Sequence, residues 1–91
     1  MHTQSAKLIF YIPLATSLKD KRQICRGLLD KTRRRFNVAV SEVATQDMHQ
    51  TLTIGISVVS GEFTHAQQAL DKVIRFMETH AEAELVDVDI E

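Results

Sequence analysis

Hydrophobic and polar positions change their period several times along the chain, and each change marks an element. Lys7 to Pro13 (KLIFYIP) is rich in β-branched and aromatic residues and ends at the only proline, which reads as a strand with a closed end. Residues 1–6 contain no apolar run, and a flexible lead is expected there. Ser17-Leu18-Lys19-Asp20 has the form of a capping box and predicts a helix start. Leu18, Cys25, Leu28, Leu29, Thr32 and Phe36 then fall on one face of a helical wheel, so the first helix should run to about Phe36.

Beyond Phe36 the pattern turns to alternation. Val38 and Val40 alternate with Asn37, Ala39 and Ser41, and the phase slips where Val43 follows Glu42, as a β-bulge would require. Polar residues Gln46 to Gln50 separate this strand from Leu52, Ile54, Ile56 and Val58, which alternate with Thr53, Gly55 and Ser57; the two strands form a predicted hairpin. Ser60-Gly61 breaks the run. A second capping box is expected at Thr64-His65-Ala66-Gln67, ahead of Ala69, Leu70, Val73 and Met77 at helical spacing. Ala83 to Ile90 alternates again, with Asp87 and Asp89 on a wet face.

Four strands and two one-sided helices in the order βαββαβ are best solved by one antiparallel sheet with both helices on one face. The expected fold class is therefore α+β, a ferredoxin-like sandwich forming a single domain over residues 1–91. Ninety-one residues with 44% hydrophobic and 25% charged content suit one modest core. The lone Cys25 has no internal disulfide partner, and its place on the apolar helix face makes it a core thiol. The longest apolar runs are of strand length, no export signal is visible, and cytoplasmic residence without membrane contact is expected.

Charge alters the picture more than composition does. The formal net charge is only −1, yet eight of the eleven basic residues lie between Lys19 and Arg35, against Asp20 and Asp30. From Glu62 to Glu91 eight acidic residues face only Lys72 and Arg75. Lys19, Arg22, Arg26 and Arg33 share roughly 60° of the helical wheel, Lys21 lies in the first turns, and Lys31, Arg34 and Arg35 extend the charge to the carboxyl end, where the helix dipole favours cations. Arginine's planar fork suits phosphate oxygens, so Lys19, Lys21, Arg22, Arg26, Arg33, Arg34 and Arg35 are the candidate nucleic-acid contacts. Against this, the sequence pI is about 6.4, below that of a dedicated nucleic-acid binder. The bland reading is a solvated face that pairs with acids of the tail or of a partner subunit.

Other chemistries find less support. Strand three carries no aromatic residue, which disfavours base stacking on the sheet; Tyr11 alone could face outward. His2, His49, His65 and His80 lack metal-ligand spacing, and Gln46, Asp47 and His49 are accounted for by turn chemistry. Gly55 and Gly61 are isolated and form no phosphate loop. No catalytic residue, metal site or cofactor is expected, and the protein reads as a non-enzyme.

Ser17-Leu18-Lys19-Asp20-Lys21-Arg22, Arg34-Arg35-Phe36-Asn37-Val38-Ala39-Val40-Ser41-Glu42-Val43, Gln46-Asp47 and Glu84-Leu85-Val86-Asp87-Val88 together resemble the YlxP-like family of small bacterial proteins. The match spans nearly the whole chain, with His49 standing where an aromatic residue is expected in the turn. This resemblance implies a ferredoxin-like fold and a bacterial origin, and it supplies no catalytic residues. Family genes often sit among those for translation initiation and ribosome maturation, which implies by association a role near ribosomal RNA or a ribosomal particle. The leading expectation is thus an accessory domain that contacts structured RNA through its basic first helix. The alternative is a protein-interaction or homo-oligomerisation module that uses the outer sheet face (Ile9, Tyr11, Ala39, Thr53, Val59) or an edge strand.

Overall fold

The computed structural model describes residues 1–91. Its elements are β1 (His2–Tyr11), α1 (Leu18–Arg35), β2 (Ala39–Ala44), β3 (Thr51–Ser60), α2 (Phe63–His80) and β4 (Glu84–Ile90). The strands pair antiparallel in the order β2-β3-β1-β4. Because strand side chains alternate, Ala6, Leu8 and Phe10 of β1 and Leu52, Ile54, Ile56 and Val58 of β3 all point to one face. There they join Cys25, Leu28 and Leu29 of α1 and Leu70, Val73 and Met77 of α2 in one buried cluster, so both helices cover the same side.

Two boundaries differ from those expected. β1 starts at His2, and the residues expected to be a flexible lead instead pair with β3, from His2 opposite Ser60 to Ala6 opposite Ile56. Their side chains show no apolar alternation because this half of the strand is held by backbone pairing with its long neighbour rather than by burial. The predicted capping box at Thr64 is also displaced. α2 begins at Phe63 with Glu62 as its N-cap and no side-chain cap; the Ser60 hydroxyl accepts from the Glu62 N–H at 3.2 Å, and the Glu62 carboxylate sits at the positive end of the helix dipole. The first helix does carry its expected cap, since Ser17 Oγ accepts the Asp20 N–H at 3.1 Å.

The phase slip in β2 is a bulge. Glu42 lies opposite Ile54 and Ala44 opposite Thr53, leaving Val43 as the extra residue. Its side chain folds over Gly55, where an added Cβ would lie 2.8 Å from Val43 Cγ1. Thr45 then takes φ 57°, and its hydroxyl meets that of Thr53 at 2.8 Å. Thr53, expected on the open outer face, is consequently buried.

Gly55 is therefore excluded from having a side chain by Val43 rather than by its own backbone. Gly55→Ala in the wild-type background is expected to cost about 1 kcal/mol, overpacking outweighing the strand preference of alanine. In a Val43→Ala background the same change should stabilise by about 0.5 kcal/mol. A urea double-mutant cycle measures the coupling; additivity of the two changes would refute the contact.

Candidate nucleic-acid interface

The two flanks of α1 have different surroundings. Arg33 Nη2 donates to the Val40 carbonyl of β2 at 2.9 Å, so the Lys19, Arg22, Arg26 and Arg33 stripe flanks the β2 edge. On the other flank, Gln23, Ile24, Gly27 and Lys31 line a small cleft with His80 at the end of α2 and Glu82 beyond it. Lys19, Arg22, Arg26, Arg33, Arg34 and Arg35 are all exposed. By helical spacing Arg34 points away from the sheet and Arg35 toward the α2 side, so beyond Arg33, the last member of the stripe, the charge runs around the carboxyl end of the helix.

Lys21 does not belong to this surface. It is fully buried on the inner face of α1, and its ammonium reaches Thr45 O at 2.6 Å, Thr51 O at 3.0 Å, Gln46 O at 3.4 Å and Glu42 Oε2 at 2.9 Å. The correction has a plain cause. Helical spacing sets Lys21 in line with Cys25, Leu28 and Thr32, and lysine's long apolar stem carries its charge inward to a ready set of oxygens. The ion pair is the only partner of Glu42 Oε2, itself buried. What distinguishes Lys21 from its exposed neighbours in the sequence is this periodicity alone.

The acidic half of the chain does not mask the stripe. β4 occupies the edge opposite β2. No carboxylate from Glu62 to Glu91 ion-pairs with α1: Arg33 approaches Asp30 at 3.9 Å, while Arg75 meets Asp71 and His65 meets Glu62. At the helix start, Asp20 accepts hydrogen bonds from the Thr16 hydroxyl at 2.7 Å and the Thr16 N–H at 3.0 Å. These bonds, the hydroxyl first, hold its carboxyl below the ordinary value of 3.8.

The remaining candidates are dispersed. Burial pushes the Cys25 thiol up, and the Glu42 carboxylate adds to the effect, so the thiolate a nucleophile needs is disfavoured. His2 packs edge-on against Phe63, His65 lies 3.6 Å from Glu62, and His80 stacks on Phe76 with ring centroids 4.1 Å apart. His49 is exposed in the β2–β3 turn with Asp47. No three His, Cys, Asp or Glu side chains come together in a group that could hold a metal ion. Tyr11 is exposed at one end of the outer sheet face, near Ile9, and Ala39 and Val59 are exposed there too. No helix is long and apolar enough to cross a membrane.

Element order, sheet order and helix placement define a ferredoxin-like α+β sandwich. A de novo designed protein with a ferredoxin fold, solved by solution NMR, superposes with a TM-score of 0.65 over 100% of this chain and 86% of its own, at 15% identity. The family model described as protein of unknown function (DUF503) matches residues 4–90. The chain is also 34% identical over 70 residues to the uncharacterized protein YlxP of Bacillus subtilis (strain 168), spanning 77% of this chain and 76% of that protein. The chain belongs to the DUF503 family, in agreement with the YlxP-like motifs in its sequence.

Two outcomes follow for α1. Lys21→Met strands the Glu42 carboxylate and leaves three carbonyls without their ammonium, and should cost about 3 to 5 kcal/mol in urea unfolding, whereas Glu42→Gln, which leaves the ammonium its carbonyls, should cost about 1 to 2 kcal/mol. Equal, small losses would show that the ion pair is not structural. For Asp20, the lowered folded value means that the unfolded chain protonates first as pH falls. Its stabilisation is complete above 3.8 and is lost as pH drops through the folded value. Melting curves of wild type and Asp20→Ala should therefore differ at pH 6 and converge toward pH 2; a constant gap would contradict the assignment.

Proposed function

We propose that this protein is a non-enzymatic, cytoplasmic accessory domain that contacts structured RNA or a ribosomal particle through α1. One observation carries this reading: Lys19, Arg22, Arg26, Arg34 and Arg35 are exposed cations with no carboxylate partner within 4.0 Å, and the first three lie on the flank of α1 beside β2, the sheet edge opposite the acidic strand. Unpaired arginines give up little when phosphates arrive, because no internal ion pair must break first. A helix 18 residues long spans about 27 Å, room for several phosphates along one strand of RNA. The family's genomic setting, implied by the sequence resemblance, points the same way.

Phosphate contact has a measurable signature in salt, since each neutralised phosphate releases counterions. Fluorescence anisotropy of a labelled, structured ribosomal RNA fragment should give a slope of log affinity against log salt of roughly −3 to −5 for four to six contacts. An Arg22→Glu, Arg26→Glu, Arg34→Glu variant keeps Arg33 on Val40 and Lys21 in the core, so its fold should persist by circular dichroism. Its affinity should fall at least ten-fold, with a visibly shallower slope. Equal binding by both proteins, or none by either, would overturn the proposal.

A further inference from the structure

The sheet ends in two edges of unlike character. β2 runs beside the cationic stripe, and Arg33 already occupies one of its carbonyls. β4 pairs with β1 between Ala6 and Tyr11, and no element lies along its far side. By register with Leu8 and Ala6, Val88 and Ile90 face the helix layer, but α2 packs over β1 and β3 and leaves them 40% and 54% exposed. Val86, the extra residue at a second bulge, is 54% exposed. Ile90 lines a cleft of about 440 Å³ together with Gln4 of β1 and Gln67, Gln68, Leu70 and Asp71 of α2. On the other face of the strand stand Asp87 and Asp89.

Charges on an edge strand are a common guard against unwanted pairing. A guard alone does not explain three large apolar side chains left open on the same strand beside a cleft. We propose that β4 is a docking edge for an extended basic segment of a partner protein, which adds as a fifth strand with its apolar side chains toward Val88, Ile90 and the cleft and its lysines or arginines over Asp87 and Asp89. Charge selects this occupant. β4 carries Glu84, Asp87 and Asp89 and no cation, so two copies pairing β4 to β4 would bring carboxylates together across the strands, which is unfavourable. A basic strand reverses that sign. This surface lies on the edge opposite the α1 stripe and stands independently of it.

The test is an amide-resolved NMR titration of the isotopically labelled protein with a nine-residue synthetic peptide alternating lysine and valine. Shifts are expected on Glu84 to Ile90, on the neighbouring β1 amides and on Gln67 and Asp71. Asp87→Lys with Asp89→Lys should weaken binding at least five-fold, Asp87→Asn with Asp89→Asn should lie between, and a peptide alternating glutamate and valine should leave the spectrum unchanged. Both aspartates are exposed, so these variants retain the fold, and their RNA affinity should match wild type, which separates this surface from α1. Absence of shifts, shifts confined to β2 or the outer sheet face, unchanged affinity in the lysine variant, or β4 shifts that follow protein concentration alone and so report a second copy, would each overturn the proposal.

Discussion

A single buried ammonium organises this domain. Taking a charge from water into a protein interior costs several kcal/mol unless it is surrounded by partners, and Lys21 is surrounded: one carboxylate and three carbonyl oxygens lie within 3.4 Å. Those oxygens come from the middle of β2, from the start of the β2–β3 turn and from the first residue of β3. One side chain from α1 therefore ties down three parts of the hairpin. The arrangement also explains the local irregularities. The bulge at Val43 and the left-handed Thr45 turn the Thr45 carbonyl toward the ammonium, and Gly55 is required because the bulged Val43 lies over it.

The same interaction reshapes the surface. Removing Lys21 from the solvent leaves its neighbours Lys19 and Arg22 in the stripe, with Asp20 turned back to cap the helix through Thr16. Meanwhile β4 takes the acidic carboxyl-terminal residues to the far edge of the sheet, three strands away from Arg33. A net charge of −1 thus conceals a dipolar molecule. At physiological salt, screening acts over about 8 Å, well short of the molecule's long dimension of 42 Å, so each side can present its own field to a partner. The basic helix and the acidic edge are two separate opportunities for binding, with opposite preferences.

Much of this architecture was legible in the residues. Alternation at Leu52, Ile54, Ile56 and Val58, the Ser17 cap and the slip at Val43 are local patterns, and each appears where the pattern put it. The amino-terminal half of β1 was not legible, because His2, Thr3, Gln4 and Ser5 are strand only by virtue of the β3 backbone beside them. The start of α2 was misread for a related reason. A Thr-x-x-Gln spacing is a weak signal, and the helix instead began where Phe63 could pack against His2.

The candidate interface was legible only as a charge count. Periodicity by itself determined the βαββαβ order, the buried stripes of both helices, the core position of Cys25 and the separation of basic and acidic segments, since each depends on neighbours a few residues apart. The fate of individual charges was decided by the tertiary structure. Helical period set Lys21 rather than Lys19 on the inner face, but the partners that make it a buried strut, Glu42, Thr45 and Thr51, arrive from more than twenty positions away, and Val88 and Ile90 stayed open because α2 packs over β1 and β3. Electrostatic and packing energies depend on distance in space, and spatial neighbours so remote along the chain exist only once the sheet has formed.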